Sequence, residues 1–153
     1  MLVSRICQKE GAESVVAPRS HGHFMCVMST CGFISGVYCY RAGFYVLSAS
    51  PFLTYASSIN YWRYPVYGTR RNIDILFVTS SLALHSVLSL KIDNMKVHYL
   101  YLTPIVAALY SISWLFYKRK YYWSSTIAHG AIHVVANVMN ILFYKALSEK
   151  YLR

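Results

Sequence analysis

Residues 122–144 read YWSSTIAHGAIHVVANVMNILFY, and no Asp, Glu, Lys or Arg interrupts them. A helix needs about 20 predominantly apolar residues to cross the hydrocarbon core of a bilayer, where backbone groups cannot stay unpaired. This run therefore predicts a membrane-spanning helix.

Three earlier runs, 42–62, 73–90 and 97–117, are also long and apolar enough to span a membrane. A shorter run, 24–40, either crosses the membrane, lies in the interface or begins a long tilted helix. Because the connections are short, neighbouring helices are expected to be antiparallel. We predict an all-α fold, a multi-pass transmembrane helical bundle with four spans and with 24–40 as a candidate fifth.

The composition supports a membrane location. Of the 153 residues 56% are hydrophobic and 13% are charged, and the mean hydropathy is +0.36. A soluble domain of this size could not bury so much apolar surface. We therefore predict that the bilayer surrounds a helical domain at 24–144, flanked by a polar tail at 1–23 and a basic tail at 145–153.

Lys and Arg outnumber Asp and Glu by 15 to 5. In the four-span arrangement, one face of the membrane, here called the basic face, carries Arg63, Arg70, Arg71, Lys118, Arg119 and Lys120. The opposite face carries Arg41, Lys91, Lys96, Lys145, Lys150 and Arg153. Such clusters attract anionic lipid headgroups, and no zinc-finger, RNP or helix-turn-helix pattern indicates nucleic acid. The denser clusters favour a cytoplasmic basic face.

The last span has one polar face. With His129 set at zero and about 100° per residue, the residues within about 80° of it are Ser125, His133, Ala136, Asn137 and Asn140. We call this face the polar stripe. A polar face along a membrane helix is expected to turn toward partner helices or a water-filled cavity.

The span at 73–90 has a similar but sparser face, formed by Asp74, Ser81 and His85. Because this span and the last one start from the basic face, His85 and His133 are predicted to lie at similar depths. A set of polar residues is expected to converge in the half of the bundle nearer the basic face: Ser57, Asn60, Asp74 and His129.

Two interpretations of the histidines remain open. His129 and His133 are four residues apart on one helical face, a spacing that suits a zinc ion, with His85 as a candidate third ligand. Alternatively, the histidine and asparagine side chains hydrogen-bond between helices, at about 0.6–2 kcal/mol per contact.

A family resemblance bears on the zinc interpretation. Ser57, then Asp74, then His129-Gly-Ala-Ile-His133 resembles the order of polar residues in the superfamily of alkaline ceramidases and of progestin and adipoQ receptors. That superfamily has a histidine zinc site beside intramembrane Ser and Asp, and some members hydrolyse lipid amides. The resemblance implies that Asp74 orients a zinc-bound water and that Ser57 lines the site. Two departures are Tyr61, where the family has His, and the family's seven spans.

Three functions follow as hypotheses. The first is a noncatalytic bundle whose polar stripe serves packing or binds a lipid or a protein partner. The second is a zinc-dependent intramembrane hydrolase of a lipid amide, with Asp74 and Ser57 as catalytic residues. The third is a small transporter or channel subunit, which would be a homo-oligomer because so few spans leave little room for a pathway.

Overall fold

The computed structural model describes residues 16–151, whose elements are five α-helices. They are α1 Arg19–Arg41, α2 Tyr45–Trp62, α3 Thr69–Ser89, α4 Asp93–Lys118 and α5 Tyr122–Tyr151. The predicted all-α helical bundle is confirmed. Helix α1 begins inside the predicted polar tail, α5 continues into the predicted basic tail, and residues 1–15 and 152–153 lie outside the described residues.

The helices form a ring. Each packs against its neighbours in the chain, and α5 packs against α1. The short connections at 42–44, 63–68, 90–92 and 119–121 reverse the chain, so successive helices run in opposite directions. Helices α3 and α4 pack against each other less than the other neighbours do, and we call this place the α3–α4 seam.

Two of the reversals use left-handed backbone conformations. After α1, Gly43 has a φ of 86°, which glycine adopts without steric cost. After α4, Lys120 has a φ of 64°, and the Tyr121 amide donates to the Phe116 carbonyl across the turn. This bond is the one expected where a residue in the left-handed conformation ends a helix.

Four helices are long and apolar enough to cross a membrane: α1, α3, α5 and residues His98–Lys118 of α4. They fit a multi-pass membrane protein. Four candidate spans were predicted and four are found, but they are not the same four. Helix α1, which contains the candidate run 24–40, is one of them, whereas α2, which corresponds to the predicted span 42–62, is not. Serine, threonine and asparagine side chains lower the hydropathy of α2, and Ser48, Ser57 and Ser58 are buried in the bundle.

The two ends of the ring differ. One end contains the starts of α1, α3 and α5 and the connections of the basic face; we call it the cavity end. The other end, which we name the closed end after its larger buried core, joins α1, α4 and α5 through that core, and an open pocket lined by residues including Tyr38, Arg41 and Lys145 lies at its surface. The members of this larger core are Cys39, Ile92, Met95, Tyr99, Leu102, Phe143 and Tyr144. A smaller core of Met25, Tyr61 and Trp62 lies at the cavity end.

One ion pair joins described residues, and it is exposed at the start of α4 near the closed end. The Lys96 ammonium lies 2.6 Å from Asp93 Oδ1. This hydrogen bond and the lysine charge lower the pKa of the Asp93 carboxyl. An exposed pair of this kind contributes little to stability, so the fold depends on helix packing.

Candidate functional site

The polar stripe of α5 contacts the two neighbouring helices. The Ser35 hydroxyl in α1 donates to Asn137 Oδ1 over 2.6 Å. The Tyr99 hydroxyl in α4 donates to Asn140 Oδ1 over 2.8 Å. These bonds turn the amides of the stripe toward protein, as its pattern predicts. Two other members of the stripe, Ser125 and His129, line a cavity.

The cavity has a volume of about 150 Å³ and lies at the cavity end, where all five helices contribute to its wall. Along the α3–α4 seam, Arg71, Asp74 and Ile75 of α3 line it together with Tyr110 and other residues of α4. Seven of its lining residues are aromatic: Tyr61, Trp62, Tyr67, Tyr110, Trp114, Tyr117 and Tyr122. The other polar lining residues are His21, Ser113, Ser125, Thr126 and His129.

Asp74 is the acidic group among these lining residues. Its Oδ1 accepts hydrogen bonds from Ser57 Oγ over 2.9 Å and from Ser58 Oγ over 2.6 Å. The residue is buried and forms no ion pair within the described part of the chain. Both hydroxyls bond the same oxygen, which leaves Oδ2 available to a ligand.

Arg71 is the basic group among the lining residues. Its guanidinium carbon lies 5.3 Å from the centre of the Tyr67 ring, and its charge acts on the nearby Tyr61 hydroxyl. Residues three apart on a helix are surface neighbours, with about 5–6 Å between their Cβ atoms. Arg71 and Asp74 have that spacing, yet no ion pair joins them; each charge is held by its own partners.

Trp62, which lines the same cavity, has an unsatisfied hydrogen-bond donor. Between residues 16 and 151, its indole Nε1 is the one buried side-chain nitrogen or oxygen without a hydrogen-bond partner. Trp62 is 8% exposed and lines the cavity. A buried donor without an acceptor costs about 1–3 kcal/mol. An acceptor atom of a ligand would remove this cost if the indole ring turned to present Nε1 to the cavity.

The two histidines of the predicted zinc pair lie side by side, with ring centres 5.7 Å apart. His129 lines the cavity, and its ring centre is 5.3 Å from that of Trp62. A third histidine at this end, His21, stacks on Trp123 at 4.1 Å and hydrogen-bonds Thr126 over 2.7 Å. His21 thus fixes the start of α1 against α5.

His85 lies far from this pair, near the closed end. Its Nε2 is 2.6 Å from the Tyr144 hydroxyl and its Nδ1 is 2.7 Å from the Ser81 carbonyl oxygen. The prediction that His85 and His133 share one depth is therefore wrong. Tyr144 follows His133 by 11 residues, about 16 Å along a helix.

The relative offset of α3 and α5 explains this error. His129 of α5 lies beside Trp62 at the end of α2, whereas Asp74 of α3 lies beside Ser57 and Ser58, about one turn deeper. The prediction measured the depth of each histidine from the start of its own apolar run, and it therefore assumed that the two helices begin at the same level. His85 consequently meets Tyr144.

The predicted three-histidine zinc site is not formed. Within residues 16–151 no group of three or more His, Cys, Asp or Glu side chains is placed to hold a metal ion. His85 is occupied by Tyr144, and no third ligand of this kind joins His129 and His133. The predicted catalytic pair, Ser57 and Asp74, is joined by a hydrogen bond, and its catalytic role stays a prediction.

Of the four polar residues predicted to converge, three lie close together in the structure. Ser57 bonds Asp74, and Asp74 and His129 line one cavity. Asn60 is not among the lining residues. Sequence reasoning missed Arg71, which was assigned to the basic face, and Trp62. The three-residue spacing of Arg71 and Asp74 was the signal that could have identified the pair.

Comparisons with family models, with curated proteins and with solved structures give no match for this chain. The resemblance to the alkaline ceramidase superfamily stays a prediction that no match supports.

Proposed function

We propose that this protein binds phospholipids, taking the lipid headgroup into the cavity between α3 and α4. In this proposal the amides of the polar stripe pack α5 against α1 and α4, and the cavity residues carry the binding. The protein acts as a membrane-embedded binding protein, which corresponds to the noncatalytic hypothesis drawn from the sequence.

One observation carries the proposal: two opposite charges line a single cavity without pairing. Arg71 lies over the Tyr67 ring and interacts electrostatically with Tyr61, and Asp74 accepts hydrogen bonds from two serine hydroxyls. Asp74 is buried and Arg71 is half-buried, and a buried charge that serves only stability is normally paired. Binding sites, in contrast, keep a few oriented polar groups in a largely apolar wall.

The position of the cavity also suits a lipid. Tyr and Trp side chains concentrate at the level of the headgroups in membrane proteins, and seven of them line this cavity. Helices α3 and α4 pack least tightly against each other, so the seam between them offers a lateral route from the bilayer. A headgroup can enter the cavity while its acyl chains stay in lipid.

The exchange of Arg71 for Gln tests this proposal. We expect Arg71→Gln to weaken retention of phospholipid about tenfold, because it removes a charge-assisted hydrogen bond to the headgroup phosphate. The measurement is native mass spectrometry of detergent-purified protein that has been equilibrated with vesicles of equal parts phosphatidylcholine and phosphatidylglycerol.

Arg70→Gln is the matched control, because Arg70 is adjacent, is exposed and does not line the cavity. We expect this variant to retain lipid as the wild type does. Absence of retained lipid on the wild type, or equal losses in the two variants, would contradict the proposal.

A further inference from the structure

The net charge of the cavity wall indicates which headgroup fits it. Among the described lining residues, Arg71 is the one permanent cation and Asp74 the one carboxylate, so the charges of the wall itself sum to zero. A further cation, the Lys118 ammonium, contacts the Trp114 ring of this wall. An anionic headgroup would satisfy Arg71 and would also be repelled by Asp74 from the same small space. A ligand with both charges, separated within one molecule, satisfies both groups.

We propose that the cavity selects a zwitterionic headgroup, a phosphate ester linked to an ammonium group, over headgroups with net negative charge. This inference rests on the proposed function and specifies its ligand class. The phosphate lies at Arg71 and accepts a hydrogen bond from Trp62 Nε1. The ammonium lies at Asp74 and against the aromatic rings of the seam.

The phosphate end is assigned from the donors. A guanidinium binds phosphate oxygens through a planar fork of N–H groups. Tyr61 links the two donors, because its hydroxyl interacts electrostatically with Arg71 and its ring centre lies 4.7 Å from that of Trp62. Trp62 Nε1 is buried and lacks an acceptor among the described residues, and a phosphate oxygen would supply one once the indole ring turns toward the cavity.

The ammonium end is assigned from the acceptors. Asp74 offers Oδ2, because Ser57 and Ser58 both donate to Oδ1. Aromatic faces attract ammonium groups, and quaternary ammonium ligands are recognised by clusters of such rings. Tyr110 lines the cavity across the seam from Asp74. The Trp114 ring in the same wall, in contrast, already contacts the Lys118 ammonium, 3.8 Å from its centre. A carboxylate and rings in one wall therefore match the cationic end of the headgroup.

The test compares two lipids with identical acyl chains, phosphatidylcholine and phosphatidylglycerol, in separate binding titrations with the purified full chain. We expect the wild type to bind phosphatidylcholine about fivefold more tightly, and we expect Asp74→Asn to reduce this preference to about twofold or less. The asparagine keeps Oδ1 as an acceptor for both serines, and an unchanged apparent Tm of the variant checks that the fold is kept.

A third titration uses soluble glycerophosphocholine, which carries the same headgroup without acyl chains. Tight binding of this ester would identify a soluble zwitterionic ligand, and weak binding beside tight binding of phosphatidylcholine would identify the lipid; both results support the assigned chemistry. Equal binding of phosphatidylcholine and phosphatidylglycerol, or a preference that survives Asp74→Asn, would overturn the zwitterion inference and leave lipid binding intact. Failure of the wild type to bind either lipid would overturn the proposed function itself.

Discussion

Gly22→Ala is expected to lower the free energy of unfolding by about 1–3 kcal/mol, since it forces two helices apart. A Cβ added at Gly22 would collide with the backbone carbonyl oxygen of Trp62. A backbone atom cannot rotate away as a flexible side chain can, so α1 has to shift from the end of α2. The measurement is the unfolding curve in detergent micelles as the fraction of SDS rises.

Gly32→Ala provides the matched control, because it makes the same change in the same helix against the same partner. Its added Cβ would lie 3.4 Å from Tyr55 Cβ, which is ordinary contact. Alanine is about 0.5–1 kcal/mol more favourable than glycine inside a helix. We expect Gly32→Ala to be neutral or stabilising, and equal destabilisation by both variants would contradict the described packing of α1 on α2.

Tyr144→Phe is expected to destabilise the closed end by about 1–3 kcal/mol. The substitution removes the hydroxyl that lies 2.6 Å from His85 Nε2, and His85 is 1% exposed. Its ring nitrogen would then be buried without a partner. The free energy of unfolding of the variant, measured as above, gives the size of the loss.

A double-mutant cycle separates this hydrogen bond from general packing. When both partners are replaced, as in His85→Leu with Tyr144→Phe, no unsatisfied polar atom remains. We expect the double variant to be more stable than the sum of the two single losses predicts. Additive losses would show that the two side chains do not interact and that α3 and α5 meet elsewhere.

The sequence predicted the helices well because lipid imposes a simple requirement. A chain segment in hydrocarbon must be apolar over about 20 residues and helical throughout. Residues 122–144 therefore identified α5, and the angular position of Asn137 and Asn140 identified the face that meets α1 and α4. The placement of Ser57 near Asp74 followed from the same counting.

The sequence predicted the site less well because helix-to-helix offsets depend on tertiary contacts. Gly22 lets the start of α1 approach Trp62, and Trp62 in turn lies beside His129. These contacts set the relative depth of α5, and no periodicity within one helix reports it. The predicted meeting of His85 with His133 failed for this reason. Arg71 was overlooked because charges at a span end are expected to face headgroups.

The most direct test of headgroup binding is the distance between Trp62 Nε1 and a lipid phosphorus atom. The chain has three tryptophans, so ¹⁵N-labelled indoles can be assigned by substituting Trp62 with Phe. Solid-state NMR in phosphatidylcholine bilayers then measures the ¹⁵N–³¹P dipolar coupling. We predict a coupling at Trp62 that corresponds to about 4 Å, as a hydrogen bond to a phosphate oxygen requires, and its loss in Arg71→Gln. A Trp62 indole without coupling to phosphorus in the wild type would contradict the account.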